Sequence, residues 1–222
     1  MSRYSRLLSL SSFSKEKLEI LKSKKVLIIG VGGSGQHVAT YLITNGVEHL
    51  RIVDFDVVEL SNLNRQILLE EKDVGKHKVH VVKERLLSKN KEAKVQAINL
   101  KVDKRSISKI EIEKYDIIVD ALDNWESKLI VSEECKKKNV CLLHIGVDGD
   151  SGQFAILKNK SLQDIFGKEI DSSPKDGVMG PTVGIIASMA SSYLIKFLLG
   201  EETENIIISY NDKTHDITKI AL

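Results

Sequence analysis

The residues of this chain that could do chemistry gather in residues 26–66, with two additions further on. Gly30, Gly32 and Gly35, with Gly33 between them, form a GxGxxG pattern directly behind the apolar run Lys25–Ile29. Glycines between a strand and a helix let the backbone approach a phosphate. The helix start then turns its unpaired N–H groups toward the anion. Asp54 ends the next apolar run, 19 residues past Gly35, and suits a ribose hydroxyl. These residues alone leave a ligand-free tight turn and a dinucleotide oxidoreductase both open.

The residues that follow argue against hydride transfer. Asp56, Asn62, Asn64, Arg65 and Gln66 come within a dozen residues of Asp54, and Lys78 stands in DVGKHK. A nicotinamide site wants little positive charge beside the phosphates. Arg65 and Lys78 instead suit the stabilisation of negative charge on a phosphate undergoing displacement. Singly, each reads as a surface ion-pair residue; behind a glycine turn and an aspartate they read as a site. Asp123, in DALDN with Asn124 beside it, stands past the end of a further apolar run, where open parallel sheets bind ligands. Its carboxylate could hold Mg²⁺ against a triphosphate, cap the next helix, or do both. Asp120 is expected to be buried behind it. His37, His77 and His144 have no metal-ligand spacing and read as ordinary surface or core residues.

The elements that must position these groups alternate. Strands are expected at Lys25–Ile29, 50–54, Lys94–Asn99, 115–121 and 140–146, and helices at 34–45, 76–89, 107–114 and 126–138. The last of these helices would be opened by Asp123 paired with Glu126. Such alternation gives a doubly wound, mostly parallel α/β sheet, Rossmann-like in type. The pattern then changes. Residues 152–157 alternate as an antiparallel strand, and 159–177 reads as a mobile loop. Residues 205–210 and 216–220 read as a closing hairpin about an Asn211–Asp212 turn. The whole of 1–222 is expected to be one domain, with 1–22 as an N-terminal arm and helix.

Bulk composition narrows the partners. A formal charge of +2 comes from 33 basic and 31 acidic residues, and the lysine runs at 22–25 and 136–138 fall at element edges. They read as solvated faces rather than a nucleic-acid surface. The apolar run 182–199 contains three serines, a glycine and Lys196 and reads as a buried helix, not a membrane span. Two cysteines, Cys135 and Cys141, without a CxxC pair or a recognisable leader exclude a cysteine-built zinc site and fit a reducing cytoplasm.

Together these residues resemble the E1-like family of adenylating enzymes, which includes the ubiquitin-activating domains and the bacterial ThiF, MoeB and HesA proteins. The matching pieces are RYSR (3–6), GVGGSG (30–35), DFD (54–56), LSNLNRQ (60–66), VGKHK (74–78), LDN (122–124) and GVMGPTVGIIAS (177–188), in the family's order. The resemblance implies attack of a substrate carboxylate on the α-phosphate of Mg·ATP. It places Gly32 against the phosphates, Asp54 on the ribose, and Asn62, Arg65 and Lys78 on the phosphates and transition state, with Asp123 on Mg²⁺. Arg6 matches the arginine that reaches into a neighbouring subunit's ATP site, which implies a homodimer.

The departures carry meaning too. Relatives that go on to a thioester or persulfide have a cysteine four residues before the glycine of GVM, and Ser173 stands there. Relatives commonly carry two zinc-binding CxxC pairs; here neither is present. The chain is therefore expected to adenylate and to leave the next covalent bond to a thiol-bearing partner. The expected substrate is a small-molecule carboxylate, as in the HcgE branch, whose members activate the pyridinol carboxylate of the iron-guanylylpyridinol cofactor. The alternative is the Gly-Gly C-terminus of a ubiquitin-like sulfur carrier.

Overall fold

A computed structural model describes residues 2–167 and 177–222. Strand β1 (Lys25–Ile29) is apolar after its first residue because it lies at the sheet's centre, covered on both faces. It pairs in parallel with β2 (His49–Asp54) on one side and with β4 (Ile117–Asp120) on the other. Outward from these lie β3 (Lys94–Asn99) and β5 (Leu142–Asp148), also parallel. Three antiparallel strands extend the sheet past β5: β6 (Ser151–Leu157), β7 (Ile206–Asn211) and β8 (Asp216–Ala221). The order is β3-β2-β1-β4-β5-β6-β7-β8. The chain first winds from β1 to β3 and then returns to β4, so the winding reverses between β1 and β4. A crevice opens above the carboxyl ends of strands at such a reversal.

Helices cover both faces. After α1 (Lys15–Ser23), α2 (Gly33–Thr44), α3 (Lys78–Lys89) and the later α6 (Gly180–Leu198) bring Val38, Leu42, Val82, Leu86, Ile186 and Leu194 onto one face of the sheet. The other face takes α4 (Trp125–Lys138), α5 (Leu162–Phe166) and two short turns. Helix α6 is apolar and long enough to cross a membrane, but its inward side, with Val183, Ala187 and Ala190, is packed into the core against α2.

Three sequence expectations are corrected. The helix expected over 107–114 is two 3₁₀ turns, Ile107–Lys109 and Ile112–Lys114, interrupted by Glu111 with φ +54°. Ile107, Ile110 and Ile112 are all buried, and spacings of three and then two cannot share one face of an α-helix. The loop expected over 159–177 contains α5, which opens with a reciprocal cap between Ser161 and Asp164. Ser173 and the rest of 168–176 lie outside the described residues. At the start of α4 the cap is Asn124, whose side-chain oxygen accepts from the Ser127 N–H at 2.9 Å, rather than Asp123 with Glu126. Only the extended residue directly before the helix can reach its third N–H.

Candidate active site

The glycine turn is built by exclusion of side chains. Gly30 has φ +90°, and a Cβ there would lie 2.6 Å from the carbonyl oxygen of Ala121. A Cβ on Gly35 would lie 2.1 Å from the carbonyl oxygen of Gly30. So the turn, the start of α2 and the end of β4 close on one another without slack. Asp54, at the tip of β2, fixes the turn from the side: one oxygen accepts from the Val31 N–H and the other from the Asp56 N–H, each at 2.8 Å. Burial raises the Asp54 carboxyl above its usual range, outweighing those two N–H groups and the Lys78 charge. Each oxygen keeps a further lone pair for a ligand hydroxyl.

Lys78, the first residue of α3, is buried, and its ammonium sits 2.8 Å from the Asp56 carboxylate. Asn62 is also buried, and its side-chain oxygen closes a short turn on the Glu59 N–H at 3.0 Å, leaving its NH₂ for the cleft. Arg65 is half-buried and held by the Ser61 carbonyl at 3.1 Å and the Asn64 side chain at 2.8 Å. The start of α6 braces this loop, because Asn64 donates to the Val178 carbonyl and a Cβ on Gly180 would lie 2.4 Å from the Asn64 carbonyl oxygen. Gln36, fully buried in α2, donates to the Val31 carbonyl at 2.8 Å and accepts from the Leu68 N–H at 2.9 Å. It locks the glycine turn to the arginine loop, with Gln66 in contact at 3.3 Å.

These parts surround one cleft of about 780 Å³ at the switch point. Gly30, Gly32, Gly33, Asp54, Asp56, Asn62, Arg65, Gln66, Lys78, Asp123 and Asn124 all line it. Gly35 stands behind, making room for the turn. The arm bearing Arg6 is elsewhere: Tyr4 packs against Asn90, past the end of α3 remote from Lys78, and Arg3 donates to the Lys89 carbonyl. Sequence reasoning missed Gln36, Ser34 and the apolar wall of Ile145, Val147, Val178 and Val183. A lone glutamine on the buried side of a helix was the available signal for Gln36.

Asp123 is exposed at the cleft and makes no side-chain hydrogen bond among the described residues. An open carboxylate facing a phosphate cradle is the donor set Mg²⁺ takes, with phosphate oxygens and water completing its shell. Among the described residues no cluster of three His, Cys, Asp or Glu side chains could hold a metal by itself. Cys135 is buried, with its thiol pushed up by burial, and Cys141 is half-buried; neither lines the cleft.

A glycine turn at the switch point, an aspartate on the neighbouring strand end and an Asn-Arg loop facing a buried lysine define an E1-like nucleotide site. The chain belongs to the ThiF family, whose model it matches over residues 4–222. It is 33% identical over 233 residues to the probable molybdopterin-synthase adenylyltransferase of Porphyra purpurea, covering 100% of this chain and 60% of that protein. The chain thus spans under two thirds of that relative's length. It is 29% identical over 231 residues to the molybdopterin-synthase adenylyltransferase of Escherichia coli, covering 100% of this chain and 92% of the other. To the sulfur carrier protein adenylyltransferase of Thermus thermophilus it is 29% identical over 213 residues, 90% of this chain and 78% of that one. Among solved structures, Escherichia coli MccB with ATP superposes with a TM-score of 0.88 at 28% identity, over 99% of this chain and 71% of that one.

Proposed function

We propose that this protein adenylates a substrate carboxylate with Mg·ATP. A carboxylate oxygen forms a bond to the α-phosphorus, the bond from that phosphorus to the bridging oxygen breaks, and pyrophosphate leaves with the electron pair. The observation that carries the reading is the convergence of Arg65, Lys78 and Asp123 on one cleft above the glycine turn. In it, Gly32, Gly33 and the start of α2 hold phosphate through backbone N–H groups, and Asp54 orients the ribose. Asp56 keeps the Lys78 ammonium in place until the phosphates arrive. Lys78 and Arg65 then stabilise the charge that grows on the α-phosphate and the leaving group. Asp123 would hold Mg²⁺, which when bound neutralises phosphate charge. Asn62, Gln66 and Asn124 complete the lining.

For the acyl end our first reading is a small aromatic acid of the pyridinol type, because Ile145, Val147 and Val178 form an apolar wall suited to a flat ring. The second reading is the Gly-Gly C-terminus of a ubiquitin-like sulfur carrier, favoured by the names of the relatives above. In both, the adenylate passes to a partner's thiol, since neither cysteine reaches the cleft. The active unit is a cytoplasmic homodimer in which Arg6 completes the neighbouring site.

ATP–pyrophosphate exchange with Mg²⁺ tests this reading. The panel is a pyridinol carboxylic acid, benzoic-type acids and Gly-Gly-ended carriers. Exchange supported only by a small acid supports the first reading, and exchange with a carrier C-terminus supports the second. Tight ATP binding without exchange for any carboxylate overturns both.

A further inference from the structure

Behind the cleft floor lies a buried charged cluster that the adenylation chemistry does not use. Asp120 ends β4 and is fully buried, and its register partner on β5 is His144, also buried. Lys128, one turn into α4, is 4% exposed. Its ammonium lies 3.2 and 3.1 Å from the two Asp120 oxygens and 2.7 Å from the Ile145 carbonyl. His144 contributes Nδ1 at 2.9 Å from Asp120, and the Leu122 N–H donates to the same carboxylate at 3.2 Å. His144 is stacked on Trp125, and its buried Nε2 has no hydrogen-bond partner among the described residues.

A buried ion pair is weak grounds for a stability role, since apolar residues of similar volume often do as well. What this one does is geometric. Lys128 ties the end of β4 to β5 at Ile145, a cleft residue, and Asp120 in turn holds the turn that runs from Ala121 to Asn124 through the Leu122 N–H. That turn carries Asp123 outward. It also donates from the Ala121 N–H to the Ile29 carbonyl at 2.9 Å, and its Ala121 carbonyl is the atom that forbids a side chain on Gly30. Movement of the turn therefore reaches both the carboxylate proposed for the metal and the glycine turn proposed for the phosphates. The Asp123 carboxylate is also close enough to favour the charged form of Lys128.

We propose that Lys128, through Asp120 and His144, is a positioning residue that sets the place of Asp123 in the metal–nucleotide site. The proposal rests on the adenylation reading above. It explains why a fully desolvated lysine sits directly beneath a turn whose own functional carboxylate is exposed and untied.

Lys128→Met leaves the buried Asp120 carboxylate without its cation, which can lower folding yield. The decisive variant is therefore Lys128→Met/Asp120→Asn, which removes both charges together. It is expected to fold, with a circular dichroism spectrum like that of the parent, and to bind ATP without Mg²⁺ within about threefold of the parent. Its pyrophosphate exchange should fall about tenfold or more, as small misplacements of catalytic groups do, with a higher Mg²⁺ concentration for half-maximal rate. Lys128→Arg, which keeps the charge and the tie, should recover most of the rate. The proposal is overturned if the double variant exchanges at the parent rate with the parent's Mg²⁺ dependence while Asp123→Asn is inactive. Full exchange by Asp123→Asn would overturn the site reading itself, and this proposal with it.

Discussion

Lys78 and Asp54 face the same cleft and bring opposite charges to it. The lysine ammonium lies 2.8 Å from the Asp56 carboxylate, which holds it at the place where a phosphate would meet it. Removing Lys78 or Arg65, which line the same cleft, takes away a donor for developing charge. Lys78→Ala and Arg65→Ala should each lower pyrophosphate exchange by ~10²–10³-fold with ATP affinity changed far less. Equal losses in binding and rate would make them ground-state anchors instead. At Asp54 it is burial that matters, and it raises the carboxyl above its usual range. It takes a proton at a higher pH than an ordinary aspartate does. The neutral acid accepts more weakly from hydroxyl and N–H groups. ATP affinity should therefore fall on acidification, starting above the usual carboxylate range. ATP's own protonation adds to this equally in the parent and in Asp54→Asn. The difference between their calorimetric titrations isolates Asp54, and parallel pH curves would show that this carboxylate does not matter to binding.

At the scale of elements, the glycine turn is where local sequence and tertiary packing are hardest to separate. Gly35 sits in a helix where alanine would normally be welcome, yet its Cβ would run into the Gly30 carbonyl. Gly75 has φ +87° but, among the described residues beyond its chain neighbours, no atom within 4 Å of where a Cβ would go. Gly75→Ala should cost about 1–2 kcal/mol of unfolding free energy, the strain of a left-handed residue. Gly35→Ala should cost about 3 kcal/mol through overpacking and should also weaken ATP binding, because the helix start must retreat. Denaturant titration of both variants checks the order, and a smaller loss at Gly35 would contradict the contact. This contrast also shows what could be read beforehand. Lys25–Ile29 and Lys94–Asn99 were legible as strands because their apolar runs are short and sharply bounded. The cleft residues were legible because their chemical types recur in a fixed order along the chain. The 107–114 stretch was not, since two buried turns mimic a helix in composition and differ only in spacing. Nor was the Lys128 cluster: Asp120 and His144 are 24 residues apart and meet only through β4–β5 register.

For the whole molecule, the decisive question is where Arg6 belongs. The arm that carries it is anchored at Lys89 and Asn90, the last residue of α3 and its cap, while Lys78 begins the same helix at the cleft. Twelve residues of helix, about 18 Å at 1.5 Å per residue, separate the two ends. Arg6 is exposed and absent from the lining of its own chain's cleft. Under the homodimer proposal it enters the neighbour's cleft instead, so the two defects Arg6→Ala and Lys78→Ala lie in different chains of each composite site. Each variant alone should be nearly inactive. Co-expressed, they should regain up to roughly a quarter of the parent's exchange activity, the share of intact sites in a statistical mixture of twofold dimers. One site of each mixed dimer then has both residues and the other has neither. If the mixture stays as inactive as its components while sedimentation shows dimers, Arg6 acts within its own chain or not at all, and the shared-site arrangement falls.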